Sequence, residues 1–119
     1  MNEETKSEVR QIIHICKSAM ACIVEGCYTF LEEQQALSRV SEQDIKRVLR
    51  EYNPEELPVM PPDFHFEKSA YIGEYRDCSG WHVDINLWYP YGESDLTLQL
   101  DIRKHKSQLV FMIDDLHVL

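Results

Sequence analysis

Apolar and polar residues alternate almost without interruption through the last third of this chain. The alternation covers three stretches, at about 81–89, 95–103 and 108–118. A period of two residues places every second side chain on the same face of a β-strand. The apolar members are Trp81, Val83, Ile85 and Leu87, then Leu96, Leu98, Leu100 and Ile102, then Leu109, Phe111 and Ile113. The pattern predicts an antiparallel meander with one buried face and one hydrated face.

The apolar residues of the first two of these strands also predict how the strands pair. They match when paired residue numbers sum to about 183, which places Leu87 opposite Leu96. On the hydrated face the same register places His82 opposite Asp101. In the third strand the apolar residues have odd numbers as far as Ile113 and even numbers afterwards, at Leu116 and Val118. We therefore expect one extra residue, a β-bulge, near Asp114-Asp115.

The first third of the chain has the period of helices. Residues 7–35 carry an apolar stripe at spacings of three and four, which predicts one long helix with a possible break at Gly26. A second helix is predicted after Ser41, whose side chain can cap it together with Asp44 in a capping box. The sequence Asn53-Pro54 ends that helix, because proline disfavours helical backbone in the residue before it.

Between the helices and the meander lies a proline-rich segment. Residues 54–63 contain four prolines and are expected to form an extended connection across the domain, and residues 64–75 are expected to add one or two strands. The predicted fold is α+β, with two N-terminal helices packed on one face of a curved antiparallel sheet of four to five strands. We expect one domain over residues 1–119, made of a helical part (1–53), the connection (54–63) and the sheet (64–119).

The charge of the chain limits its possible partners. Its 21 acidic residues exceed its 12 basic ones, for a net charge of −9. This balance argues against nucleic-acid binding, which requires concentrated Lys and Arg. It permits a basic protein partner, because complementary potentials steer association. The simpler alternative is that the acidic surface serves only solubility.

Other properties of the chain indicate a cytoplasmic protein. No apolar run approaches the ~20 residues that span a bilayer, and the polar start predicts no signal peptide. The four cysteines, at 16, 22, 27 and 78, include three in one predicted helix. We interpret them as free thiols of a reducing compartment.

No residue pattern in the chain matches a known catalytic or metal-binding motif. The pair of His82 and Asp101 is able to orient an imidazole for acid–base chemistry, but a structural cross-strand pair is the simpler interpretation. The four glycines form no phosphate-binding loop. His82-Val83-Asp84 and Asp114-Asp115 with His117 each offer fewer ligands than a metal site needs. We therefore predict no catalytic residue, metal or cofactor.

Aromatic and acidic residues cluster around the first hairpin of the predicted meander. Trp88 falls on the hydrated face, against the pattern, and Tyr71 and Tyr75 are candidates to lie near it. Exposed aromatics with a charged rim have the composition of a protein-interaction hot spot. The residues predicted to bind a partner are Trp88, Tyr89, Tyr91, Glu93, Asp95, Asp84 and Glu74. The alternative is that a helix or the proline-rich connection covers Trp88 within the monomer.

The end of the chain supports a resemblance. The segments Trp81-His82-Val83, Ser94-Asp95-Leu96-Thr97-Leu98 and Ile113-Asp114-Asp115-Leu116-His117-Val118-Leu119 resemble a group of small uncharacterised bacterial proteins. As a small acidic α+β chain without catalytic residues, the protein is also similar in type to the immunity proteins of bacterial toxin systems, including contact-dependent inhibition. In outline, its helices followed by a sheet resemble the nuclear-transport-factor-2-like cones.

These resemblances imply two classes of function. The first is a non-enzymatic binding protein, an immunity protein that neutralises a cognate basic toxin domain in the cytoplasm. The second is a cone-shaped protein that binds a small molecule or acts as an isomerase or cyclase. Its pocket would lie between helices and sheet, lined by Tyr, Trp and His65 or Asp84. We favour the first because the buried stripes contain only apolar residues. The sequence leaves the oligomeric state open.

Overall fold

Helices precede the sheet in the computed structural model, which describes residues 3–119. The helices are α1 (Glu3–Glu25), α2 (Tyr28–Glu33), α3 (Glu42–Tyr52) and α4 (Asp63–Lys68). The strands are β1 (Tyr71–Glu74), β2 (Gly80–Tyr89), β3 (Gly92–His105) and β4 (Gln108–Val118). The strands form one antiparallel sheet in the order β1-β2-β3-β4. The α+β class and the antiparallel meander are confirmed, and the sheet has four strands where four to five were predicted.

The predicted long helix over 7–35 is two helices. Gly26 has a φ of 76°, a left-handed conformation that ends α1, and the Cys27 amide donates to the Cys22 carbonyl oxygen at 2.9 Å across the break. Cys27 therefore lies beyond α1. The second predicted helix is confirmed as α3, including its capping box, in which Ser41 and Asp44 each accept from the other's backbone amide.

The prediction of strands over 64–75 is wrong for its first half. Residues Asp63–Lys68 form α4, and only Tyr71–Glu74 form a strand. The described residues thus contain four helices where two were expected. Helix α4 lies beside β2 where β1 no longer covers it, since β1 pairs with β2 only as far as Asp84. The His65 Nε2 atom lies 2.8 Å from the carbonyl oxygen of Asn86 and satisfies that open strand edge.

The predicted register of β2 and β3 is confirmed over most of their length. His82 pairs with Asp101, and Ile85 pairs with Leu98. The expected pairing of Leu87 with Leu96 is wrong, because the register shifts beyond Asn86 and β3 carries two extra residues there. The Ser94 hydroxyl occupies this irregularity, donating to the Leu87 carbonyl oxygen at 2.7 Å. Here a side-chain hydrogen bond takes the place of hydrogen bonds between the two backbones. The alternation of apolar and polar residues therefore does not reveal the irregularity.

The predicted bulge in the last strand is confirmed. Leu100 pairs with Ile113 and Gln99 pairs with Asp115, so Asp114 is the extra residue. Leu116 then returns to the buried face. Val118 does not, because it lies at the end of the sheet with 49% of its surface exposed.

One core cluster joins the buried face of the sheet to the helices. The odd-numbered residues of β2 from Trp81 to Tyr89 are all buried, as are the apolar residues of β3 from Leu96 to Ile102. The helices contribute Ile12, Cys16, Met20, Leu31, Ile45 and Phe66, among others, to the same cluster. Within residues 3–119 no helix is long and apolar enough to cross a membrane.

The four cysteines are free thiols in this fold, two buried and two exposed. Burial raises the pKa of Cys16 to about 12, and it also raises the pKa of Cys22. A protonated, buried thiol reacts slowly. We expect iodoacetamide to modify Cys27 and Cys78 quickly in the native protein, and Cys16 and Cys22 only after unfolding. Mass spectrometry of the native and the denatured protein checks this, and a native mass two hydrogens below the reduced mass would contradict it.

Candidate interaction surface

The β2–β3 hairpin ends in a two-residue turn, which is shorter than the loop of residues 90–94 between the two predicted strands. Tyr89 pairs with Gly92, so Pro90 and Tyr91 alone form the turn. Gly92 has a φ of 122°, a conformation that favours glycine at this position. The turn projects Tyr91 from the end of the sheet, where 61% of its surface is exposed.

Three tyrosines form a rigid stack on the helix side of this turn. The rings of Tyr91 and Tyr89 are nearly parallel, with centroids 5.6 Å apart, and Tyr89 is fully buried. Tyr52 from the end of α3 packs against Tyr89, also at 5.6 Å. Burial raises the pKa of Tyr89 to about 12 and also raises that of Tyr52, so both hydroxyls stay protonated at neutral pH. The exposed Tyr91 therefore rests on a fixed aromatic base.

Hydrogen bonds also hold the two carboxylates of the hairpin in place. The Tyr52 hydroxyl donates to Asp95 Oδ1. The Asn86 amide donates to Glu93 Oε2 at 2.9 Å, and the Asn86 oxygen accepts from the Thr97 hydroxyl at 2.7 Å. Held side chains lose less conformational entropy on binding than free ones. The hairpin end thus presents preorganised acceptors beside an exposed aromatic ring.

Trp88 lies on the other side of the hairpin and is partly covered within the monomer. The Val59 amide donates to the Trp88 carbonyl oxygen at 2.8 Å, so the connection runs along this edge. The rings of Phe64 and His65 of α4 contact the indole edge-on, with centroids 6.2 and 5.2 Å away. Trp88 is therefore half-buried, and Phe64, which is 52% exposed, is the more accessible aromatic here. The alternative in which a helix or the connection covers Trp88 therefore holds in part, and the rest of the indole remains at the surface.

Two of the predicted partner-binding residues lie elsewhere. Asp84 is about 13 Å along β2 from Trp88, where it contacts His82 Nε2 at 2.6 Å and accepts from Gln99. Glu74 pairs with Trp81 near the opposite end of β2 and is 3.9 Å from Lys104 Nζ. Neither belongs to the hairpin end.

Tyr71 and Tyr75, which were candidates to lie near Trp88, are also distant from it. Tyr71 pairs with Asp84, and the Tyr75 hydroxyl donates to Asp101. The structure therefore brings together Tyr89, Tyr91, Glu93 and Asp95, with Trp88 on the adjacent face. The sequence analysis did not predict that Tyr52, Asn86 and Phe64 belong to this surface. Tyr52 fitted the buried face of the second helix, Asn86 fitted ordinary strand surface, and Phe64 was predicted to lie in a strand.

The carboxylates around this end of the sheet are not neutralised. Five of the exposed acids that form no ion pair among residues 3–119 lie in or near the hairpin and the end of α3, namely Glu51, Glu55, Glu56, Glu93 and Asp95. Glu51, Glu55 and Glu56 lie close to Tyr52 in the chain. The Asn53 side chain fixes the backbone of Glu55 and Glu56, because its oxygen accepts a hydrogen bond from both amides. We define the hairpin-end surface as Tyr91, Glu93, Asp95, Val59, Phe64 and Trp88. Acids dominate its surroundings, and one lysine is also close, with Lys68 Nζ 6.0 Å from the centroid of the Phe64 ring.

The side chains of His82 and Asp101 bond to different partners. His82 and Asp101 are backbone partners, but the Asp101 carboxylate bonds to Arg39, Tyr75 and Arg103, and His82 contacts Asp84. In the part of the chain that the structure describes, no three His, Cys, Asp or Glu side chains are grouped to hold a metal ion.

The residues named for a cone-like pocket also have other roles. Asp84 shares the outer face of the sheet with His82, away from the core, and bonds Gln99 there. His65 is fully buried, packs against Phe66 and Trp88, and bonds the β2 backbone. Neither arrangement resembles a polar group facing a cavity between helices and sheet.

The protein is a small α+β domain, with helices on the buried face of an antiparallel four-stranded meander. Its candidate functional site is a surface, the aromatic and acidic end of the β2–β3 hairpin. A family model described as a domain of unknown function, DUF7668, matches residues 20–119, and the chain belongs to this family. Comparison with curated proteins and with solved structures gives no significant match.

Proposed function

We propose that this chain is a non-enzymatic, cytoplasmic binding protein that neutralises a basic toxin domain, in the manner of bacterial immunity proteins. The observation that carries the proposal is the exposed Tyr91, stacked on the buried Tyr89 and followed on the same hairpin by the held carboxylates of Glu93 and Asp95. Aromatic anchors that are rigid before binding dominate interface energies. Carboxylates at the rim attract a basic partner and speed its association.

The basic class of partner follows from charge. The five unpaired acids near the hairpin end add to a chain that already carries a net charge of −9. The screening length is about 10 Å at 0.1 M salt, so these charges act together on an approaching protein. The apolar side chains of Val59 and Phe64, both exposed, extend the contact beyond the tyrosine. A toxin domain with a basic active-site cleft fits this chemistry.

The test is a binding measurement against the toxin domain encoded next to this gene. We expect a stable complex and no turnover by the chain itself. The variant Glu93→Lys with Asp95→Asn should slow association about tenfold at 0.05 M salt and much less at 0.5 M, because salt screens steering. Asn at position 95 keeps an acceptor for Tyr52. Tyr91→Ala should speed dissociation about 30-fold, as the loss of a ~2 kcal/mol hot spot does.

A matched control has the same change of charge at the other end of the molecule. Glu4→Lys with Glu8→Gln alters the first turns of α1, which lie beside the β3–β4 turn. We expect this control to bind at nearly the wild-type rates. The proposal fails if the neighbouring product forms no complex, or if the hairpin variants and the control change the rates equally.

A further inference from the structure

A groove of about 500 Å³ lies between α1 and the β3–β4 turn, at the end of β3 opposite to the hairpin. Its polar lining comes from Ser7, Arg10, Gln11 and His14 on α1 and from Ser107 and Gln108 at the turn. Two apolar side chains, Ile15 and Leu109, complete it. The α1 residues recur at spacings of three and four, so one helix face supplies them all.

The groove is distinctive because no carboxylate lines it, although acids outnumber bases in the chain. The guanidinium of Arg10 and the imidazole of His14 have no hydrogen-bond or ion-pair partner among residues 3–119. Lys106, next to the lining residue Ser107, is exposed and also lacks one. Three acids lie on the first turns of the same helix: Glu3 is 3.9 Å from Lys6 Nζ, and Glu4 and Glu8 lie outside the lining. The lining itself therefore carries a positive charge at Arg10, within a surface that is acidic farther out.

These side chains share the chemistry of an oxyanion site. A guanidinium donates two parallel hydrogen bonds to a phosphate, and an imidazole, two hydroxyls and two carboxamides add further donors. Inorganic phosphate would leave most of the volume unfilled, whereas ligand pockets of about 300–1,000 Å³ suit small organic molecules. The two apolar side chains offer surface to a sugar or base. We propose that this groove binds a small phosphate monoester, of the size of a nucleoside monophosphate.

The proposal is independent of the function assigned to the hairpin end. A polynucleotide is disfavoured as ligand, because the acidic surface around the groove would repel its successive phosphates. The observations favour one phosphate held by Arg10 and His14, with the remainder of the ligand against Ile15 and Leu109.

Calorimetric and NMR titrations of the full chain at 0.05 and 0.15 M salt test the site, using adenosine monophosphate, glucose 6-phosphate, inorganic phosphate and adenosine. We expect at least one organic phosphate to bind more tightly than inorganic phosphate, with shifts in α1 and the β3–β4 turn, and adenosine to give none. Arg10→Ala should weaken binding at least tenfold, since it removes a charge-assisted bond. Arg47→Ala, an exposed arginine of α3, should have no effect.

Three results would overturn the proposal. One is the absence of binding by every phosphate at millimolar concentration. Another is equal binding by Arg10→Ala and Arg47→Ala. The third is a short RNA that binds more than tenfold more tightly than the monophosphates, which would identify a nucleic acid as the ligand instead.

Discussion

Gly80→Ala should lower the free energy of unfolding by about 3 kcal/mol or more, the largest expected effect of a single methyl group in this chain. Gly80 begins β2 and pairs with Arg103 of β3. A Cβ atom at Gly80 would lie 2.0 Å from the carbonyl oxygen of Ile102 and 3.0 Å from the Arg103 Cα atom. Both are backbone atoms, so no side chain can turn away. The strands must separate, which would also disturb the hydrogen bond from the Lys104 amide to the Ser79 carbonyl oxygen.

Gly73→Ala is the matched control. The three atoms nearest to a Cβ atom at Gly73 all belong to the Tyr71 side chain, whose hydroxyl is 3.0 Å away and whose ring is exposed and able to move. We expect this variant to lose less than about 1 kcal/mol. Urea denaturation of both variants, followed by circular dichroism, measures the difference. Equal losses for the two variants would show that the close approach at Gly80 does not constrain the sheet.

The sheet was predictable because alternation reports burial directly. The inward residues of β2 and β3 fixed their register, since a slip of one residue would expose every one of them. A change of parity likewise revealed the bulge at Asp114. The bulge in β3 near Ser94 left no such mark. There the backbone polar groups are satisfied by a serine hydroxyl, and the apolar residues on either side keep facing inward.

Helix α4 was missed for a physical reason. Phe64 and Phe66 alternate with polar neighbours as strand residues do, and a helix of six residues has little intrinsic stability. Contacts with the rest of the fold decide the conformation of this segment. Phe66 is fully buried, and His65 bonds the open edge of β2. The only local indication was Asp63, because acidic residues are favoured in the first turn of a helix.

The candidate site was predictable only in part, for a related reason. Tyr91, Glu93 and Asp95 lie in or next to the turn, so their proximity follows from the hairpin itself. Tyr52, which bonds Asp95 and packs against Tyr89, comes from the end of α3. It precedes Tyr89 by 37 residues in the chain. Nothing in the local sequence indicates that contact. The cover over Trp88 depends in the same way on α4 and on the path of the connection.

Replacement of the Asp101 carboxylate should cause the second-largest loss in the free energy of unfolding. This carboxylate is only 3% exposed on the outer face of the sheet. It accepts hydrogen bonds from Arg39 at 3.0 Å, Tyr75 at 2.9 Å and Arg103 at 2.9 Å. Arg39 also donates to Asp114 at the β4 bulge, at 2.8 Å. One buried carboxylate thus ties β3 to the segment before α3, to the end of β1 and to the bulge.

This arrangement predicts a definite pH dependence. Burial alone raises the pKa of Asp101, but the hydrogen bonds from Tyr75, Arg103 and Arg39 and the charge of Arg103 outweigh it and hold the pKa below its usual range. In the unfolded chain the pKa is about 3.9. The ionised Asp101 therefore stabilises the fold fully above that value, and the contribution is lost as the pH falls through the lower folded pKa.

Asp101→Asn should accordingly lower the free energy of unfolding by about 3 kcal/mol at pH 7, because three charge-assisted hydrogen bonds lose their anionic acceptor. The difference from wild type should narrow as the pH falls from about 4 to 2, where the wild-type carboxyl becomes protonated. Asp115→Asn is the control, since the Asp115 side chain is 53% exposed and its only ion pair among residues 3–119 is with His117 Nδ1, at 2.8 Å. We expect it to cost less than about 1 kcal/mol. Urea titrations across this pH range decide the matter: a loss at Asp101 that is small, or that stays constant down to pH 2, would mean that Asp101 does not stabilise the fold through its charge.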